Sequence, residues 1–381
     1  MDNERNFRPK ILCIAPLPPP VHGSAVVSRQ IQDSPAIDEA FQMDFINLSS
    51  SRSMDEIDHF HPLKLYRITK AWFLTFFRLL TRHYDLCYIA LTCHGRGFLK
   101  DAPFALLCKL FRKKLVIHQH NKGMAEDAGR WPYKPLLRAV YRNATVLLLA
   151  EALYQDISSI VSREQVMICP NGKGDPEPSK PISRSHSDGG SVKLLFISNL
   201  IPSKGVYDLI KACRILNEQH KQFLCSIVGN ETAGITAEDL RHFISINGLE
   251  QLVSYEGPLY QDEKTEILKA SDIFVLPTYN ECFPLCILEA MQQELPIVTT
   301  DEGGIPEMVL DGINGLICKK NNPESLAKAI GALIDNGEMR RSMGLEGRSL
   351  YLKRFTANCF EQQFIRCIQD CLKMRSQPHR Q

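Results

Sequence analysis

Short β-branched and apolar runs alternate with segments of helical periodicity along the whole chain, which predicts parallel sheets built from βαβ units. In the first half the predicted strands are Lys10–Ala15, Phe45–Leu48, Asp85–Leu91, Lys114–Gln119 and Thr145–Ala150. The alternation stops at Pro176–Gly190, a stretch of Pro, Ser and Gly without periodicity that reads as an interdomain linker. It restarts with Val192–Ser198, Phe223–Val228, Leu252–Tyr255, Ile273–Leu276 and Ile297–Thr299. A helical segment follows at Pro323–Ile334, then a tail with Phe360, Phe364, Ile365, Ile368 and Leu372 at helical spacing, a face that needs a surface to cover.

Bulk numbers narrow this picture. A length of 381 residues exceeds one ordinary core, so two domains are expected. We place them at 1–178 and 192–352, joined by a linker at 179–191 and followed by a C-terminal helix at 353–381. Hydrophobic content of 44% and charged content of 23% are ordinary for a globular protein. A net charge of +2 gives no global reason to expect nucleic acid as a partner. The 13 cysteines show no C-x-x-C or metal-ligand spacing and read as reduced thiols. No signal-like start and no apolar run of membrane-spanning length is seen, so a cytoplasmic location is expected.

The most informative stretch is Ile273–Met291, a strand, a turn and then a helix. Pro284 suits a first helical turn, and backbone N–H groups from Phe283 to Leu285 would then point into the crevice at the strand's carboxyl end, where a diphosphate is attracted. With a helix starting at Glu281, Glu289 would lie about 12 Å further along. Carboxylates there accept hydrogen bonds from sugar hydroxyls. The bland alternative is a dipole-favoured Glu281 and a solvated Glu289. Thr300–Glu307 forms a second Gly-rich turn after the next strand, with Glu307 as a cap ahead of a ligand acceptor. Phe196–Gly205 ends the first strand of the second half and carries Lys204, whose ammonium could neutralise a leaving phosphate or merely sit in a surface turn.

In the first half, Pro16–Ala25 follows the first strand; Gly23 permits close backbone approach and Ser24 is a good N-cap. Lys114–Gly123 places His118 and His120 on one face of a strand, too few ligands for a metal site on their own.

As an ordered set, Asn171-Gly172, Lys204-Gly205, the strand ending Ser226–Gly229, and Glu281 with Glu289 at E-x7-E spacing resemble the retaining glycosyltransferases of family 4, from about Ile11 to the C-terminal helix. The resemblance implies the GT-B fold, two Rossmann-like domains facing across a cleft with the last helix crossing back to the first. It implies a nucleotide-sugar donor contacted by Glu281 at the sugar, Glu289 at the ribose, Lys204 at the diphosphate, and backbone at Phe283, Pro284 and Leu285. Gly23, Asn199 and Gly229 would also line the donor. Glu281, His120 and Lys204 would be the catalytic residues, with His120 near the reacting sugar. The chain departs from the family at Ser198-Asn199, where Gly-Arg is usual, so one phosphate cation is replaced by an uncharged amide; Arg29 or Lys122 could substitute. With no D-x-D motif, no metal and no cofactor are expected.

The implied reaction moves a hexose or N-acetylhexosamine, with retention, to a polysaccharide or lipid-linked glycan, as in lipopolysaccharide or capsule synthesis. A nucleotide-sugar epimerase or a non-catalytic sugar-nucleotide-binding protein are the alternatives. Finally, residues 61–82 form a basic, aromatic helix candidate without acidic residues, with Lys64, Arg67, Arg78 and Arg82 on one side. Such a helix either lies on an anionic membrane surface, which would make the protein peripheral at the inner face, or packs Trp72 and its Phe residues into the first core.

Overall fold

Apolar runs bounded by turns become the strands of two wholly parallel sheets. The computed structural model describes residues 8–20, 23–49, 62–174 and 190–374. The chain divides into two units: Met1–Gly172 with Asn358–Gln381, and Lys173–Ala357. His61 and most of the expected linker lie outside the described residues.

In the first unit the strands are β1 Lys10–Ala15, β2 Gln42–Asn47, β3 Leu86–Ala90, β4 Lys114–Gln119, β5 Thr145–Leu148 and β6 Val166–Ile168, ordered β2-β1-β3-β4-β5-β6. Strand β3 is buried at every position, as expected for a parallel sheet covered by helices on both faces. In the second unit β7 Val192–Ile197, β8 Phe223–Val228, β9 Val253–Gly257, β10 Ile273–Leu276, β11 Ile297–Thr300 and β12 Gly315–Cys318 run in the order β12-β11-β10-β7-β8-β9. Counted within the unit this is the doubly wound 3-2-1-4-5-6 arrangement, and its winding reverses between β7 and β10. In open α/β sheets the carboxyl ends of the strands at such a reversal are the usual place for a ligand.

Ten strands lie where the hydrophobic pattern predicts them, with ends shifted by up to three residues. The two not predicted, β6 and β12, are three- and four-residue edge strands paired on one side. Runs that short carry too little periodicity to read.

The tail is two helices rather than one. Gly337–Arg354 belongs to the second unit, Phe355 and Thr356 interrupt, and Ala357–Lys373 returns to the first. That last helix buries Phe360, Phe364, Cys367, Ile368 and Cys371 in one cluster with Ile11, Cys13, Tyr88 and Val116 of the first sheet. Its carboxyl end is held by the Lys114 ammonium, which donates to the carbonyls of Leu372 at 2.8 Å and Met374 at 2.7 Å.

Helix Pro62–Thr81 presents Ala71, Thr75 and Leu79 inward, and Phe76 meets Phe111 edge-on at 5.7 Å. The expectation that its Phe residues as a group pack into the core is corrected: Phe73 and Phe77 face solvent. Meanwhile Arg78 donates to the Phe45 carbonyl, and Arg82 pairs with Asp44 at 2.9 Å. Those two arginines secure the helix to β2.

Candidate active site

Three loops meet at the carboxyl ends of β7, β10 and β11 in the second unit. After β7, a 3-10 turn Pro202–Lys204 ends at Gly205, whose φ of +79° is left-handed and whose added Cβ would fall 2.2 Å from the Pro277 carbonyl oxygen. Only glycine fits there, so the turn carrying Lys204 is pressed onto the end of β10. Tyr279 N–H and the Thr278 hydroxyl both donate to the Ser203 carbonyl, at 2.9 and 3.1 Å, and tie the two loops together. The loop after β11 joins through Gly304 N–H, which donates to the Cys282 carbonyl at 2.8 Å, and through the Thr300 hydroxyl, which donates to the Thr278 carbonyl.

This scaffold brings Lys204 and Glu281 together. The ammonium lies 2.5 Å from the carboxylate and 3.2 Å from the Asn280 carbonyl, with both side chains less than a fifth exposed. Residues 77 positions apart are thus paired at the point where the sheet reverses its winding. The same group of strand ends carries Glu302, buried at the end of β11, which is 2.7 Å from the Lys320 ammonium.

The helix after β10 begins later than its sequence suggests. It runs Leu285–Gln292, and Pro284 is its N-cap residue rather than part of its first turn. Pro284 has no N–H, so the amides at the helix start are those of Leu285 and Cys286, and Glu281 stands in the preceding loop. The Phe283 ring is buried against Phe355 at 5.9 Å. What remains at this point is the positive end of a helix with Glu281 and Lys204 in front of it.

Residues 180–350 match the family model of glycosyl transferases group 1. That match covers Lys204, Glu281, Glu289 and the loops that hold them. An uncharacterized glycosyltransferase of Methanocaldococcus jannaschii is 31% identical over 162 residues, which is 42% of this chain and 43% of that protein. The aligned stretch spans about two fifths of the length of the curated relatives it matches. In shape, the chain is similar to sucrose-phosphate synthase from Thermosynechococcus elongatus, with a TM-score of 0.74 at 17% identity over 95% of this chain and 99% of that one. It is also similar to Anabaena HepE, solved in complex with UDP and glucose, with a TM-score of 0.71 at 19% identity over 95% of this chain and 100% of that one. Those likenesses carry the fold: two α/β units of the GT-B class, as the resemblance implies.

Within the group 1 stretch, Glu289 is neither solvated nor a lone carboxylate. It is 8% exposed and lies 2.8 Å from the Lys173 ammonium and 2.5 Å from that of Lys264. Burial pushes its carboxyl up, but Lys264 and Lys173 outweigh this and hold it below the ordinary value of 4.5. Glu289 is therefore ionised at neutral pH and acts only as an acceptor. Cys286 sits one turn before it. Burial first, then Glu281 and Glu289, push that thiol up to about 12, so it stays protonated at neutral pH.

Asn199 is held by Asn230, whose amide donates to its side-chain oxygen at 3.3 Å. Gly229 is demanded by packing, since an added Cβ would fall 1.8 Å from the Ser198 carbonyl oxygen.

In the first unit His118 is fully buried, its Nδ1 2.8 Å from the Tyr88 hydroxyl. Burial, reinforced by the neighbouring His120, holds its imidazole well below the usual range, so it is a neutral core histidine. The His120 ring lies 4.1 Å from it, tilted by 42°, and follows the last residue of β4, half-buried. The loop beyond is tied down by side chains: the Asp156 carboxylate accepts from the amides of Gly123, Met124 and Ala125, and Asp127 accepts from Gly95 N–H at 2.7 Å. Gly23 begins the helix Gly23–Asp33, so Ser24 lies inside that helix and is not its N-cap. Among the described residues no group of three or more His, Cys, Asp or Glu side chains is placed to hold a metal ion.

Lys173, Lys264 and Lys320 carry no motif and give no sequence signal, whereas Glu302 lies in the Gly-rich turn Thr300–Glu307 without a role assigned to it there. Their partners lie far away in the chain, and lysines in charged helices and turns read as solvated surface.

A Cβ at Gly23 meets no described atom within 4 Å, so the fold itself does not demand glycine there. We expect Gly23→Ala to leave stability within about 1 kcal/mol of the parent. A larger loss in thermal denaturation would mean that the glycine is structural.

Proposed function

We propose that the protein is a retaining hexosyltransferase of the family 4 type, which binds a nucleotide-sugar on its second unit and passes the sugar to a polysaccharide or lipid-linked glycan met at an anionic membrane surface. The observation that carries this reading is the Lys204–Glu281 pair at the winding reversal, beside the amide-rich start of helix Leu285–Gln292. A diphosphate fits that place because Lys204 and the Leu285 and Cys286 amides are donors, while Glu281 accepts from sugar hydroxyls. Diphosphate oxygens and the Glu281 carboxylate compete for one ammonium, so donor binding frees Glu281 to turn to the sugar. Glu289, ionised and acceptor-only, suits the ribose hydroxyls. Backbone at Phe283 and Pro284, with Gly23, Asn199 and Gly229, lines the donor as the resemblance implies, and His120 keeps the place near the reacting sugar that it gives it. Charge on the leaving nucleoside diphosphate is stabilised by Lys204 and the helix dipole, and the departing phosphate helps take the acceptor's proton.

The test is thermal denaturation with UDP-, GDP-, ADP- and CDP-sugars. UDP-sugars come first, because the structurally similar Anabaena HepE was solved with UDP and glucose. At one hundred times Kd a true donor adds about 2.7 kcal/mol of apparent stability. No shift with any of them would sink the reading. The uncharged Asn199 favours one competing reading, a binding protein without catalysis. A glycosylated acceptor in product analysis decides against it, and a free epimer without glycoside would instead indicate an epimerase.

A further inference from the structure

Helix Pro62–Thr81 leaves one face uncovered. Tyr66, Lys70, Phe73, Leu74, Phe77 and Leu80 recur at helical spacing on the side opposite Ala71, Thr75 and Leu79. They form an arc of roughly 120° at about 100° per residue. Tyr66 is 62% exposed, Phe73 50%, Phe77 56% and Leu80 59%, so four large apolar or aromatic side chains in a row meet water. A surface helix ordinarily turns such a stripe inward; here a second stripe looks outward.

The charges identify what covers it. The helix has no Asp or Glu from Pro62 to Thr81, and Lys70 lies within the exposed arc. Two copies pairing this face about a two-fold axis would bury both Lys70 ammonium groups in an apolar seam, with no carboxylate on either helix to balance them. An anionic lipid surface supplies both requirements: acyl chains for the aromatic stripe, and headgroups for Lys70, whose long stem lets its ammonium reach up to them. Among the described residues no helix is long and apolar enough to cross a membrane, so the contact lies in the plane of the interface.

We infer that the chain inserts the Tyr66–Leu80 face into one leaflet of an anionic bilayer as a monotopic anchor. This deepens the proposed reading by naming an apolar contact. It differs from the basic side expected from sequence, since Arg78 and Arg82 are engaged with β2.

The full chain is floated with phosphatidylcholine vesicles and with vesicles that also contain phosphatidylglycerol. We expect binding to the anionic vesicles that is partly retained at about 1 M salt, where the screening length is about 3 Å. Phe73→Ser with Phe77→Ser should lower the partition coefficient at least about tenfold. The same double variant should keep the thermal shift given by the nucleotide-sugar, which separates failure of this inference from failure of the transferase reading. In a background carrying Trp72→Phe and Trp131→Phe, which removes both indoles, Phe77→Trp supplies one reporter on the exposed face, and lipids brominated on their acyl chains should quench its fluorescence. Binding wholly lost in high salt without quenching would overturn insertion. So would absence of vesicle binding together with a dimer that the double variant dissolves.

Discussion

Lys204→Ala is expected to slow sugar transfer by about two to three orders of magnitude, the usual cost of removing one preorganised group that stabilises transition-state charge. The turn before it supplies no second cation, because Ser198 and Asn199 stand where the resembling family has Gly-Arg. On the proposed reading, Lys204 with the helix start is the main counter-charge for the leaving diphosphate. The fold should tolerate the change, since Gly205 and the Ser203 carbonyl still join the β7 and β10 loops once the ammonium's bonds to Glu281 and Asn280 are gone. Glu281→Ala should lower turnover comparably, and the double variant should fall little below either single one, because the two groups act as a unit. Steady-state rates measured above donor saturation check this. Activity within threefold of the parent in both single variants would remove these residues from the reaction.

The second large effect concerns stability. Glu289→Leu is expected to cost about 2–3 kcal/mol at pH 7, because it leaves two ammonium groups beside a buried apolar side chain without their shared counter-charge. Full burial of the cluster would suggest more, but Lys173 is 35% and Lys264 26% exposed, so water screens part of the loss. The pH dependence follows from the direction of the shift. A carboxyl held below its ordinary value of 4.5 in the fold contributes stability that is complete above that value. The contribution is lost as pH falls through the folded-state value. Denaturant titrations should therefore show the difference between the parent and Glu289→Leu shrinking below about pH 4.5. A difference unchanged from pH 7 to pH 3 would show that the charge of Glu289 does not support the fold.

Lys173 gives that cluster a wider bearing. Its backbone N–H donates to the Phe355 carbonyl at 2.9 Å, and the Tyr351 hydroxyl and Gln292 side chain both donate to the Gly174 carbonyl. The stretch where the chain enters the second unit is thus fastened to the stretch where it leaves, and the same lysine reaches Glu289. Weakening Glu289 therefore loosens a tertiary junction as well as an ion pair.

Much of the fold was legible in the residues. Buried parallel strands read as continuous apolar runs of four to six residues, and the intervening helices have their own period, so class and element order followed from local pattern. The Lys204 turn and the E-x7-E segment were legible for a similar reason: glycine demand and loop position are local properties. Helix starts were less so. Placing Pro284 one position outside its helix moved the relevant amides to Leu285 and Cys286, because capping depends on backbone angles that composition only biases.

What the sequence determined by itself is therefore the alternation of strands and helices, the two-unit organisation and the residues that end the strands. Tertiary structure alone decided that Lys204 meets Glu281, that Lys173 and Lys264 converge on Glu289, and that Phe73 and Phe77 face outward while Trp72 and Phe76 stack together. Each of these depends on the order in which strands lie in a sheet or on which side of a helix meets it. Those are choices between partners remote in the chain, and no periodicity within one segment encodes them.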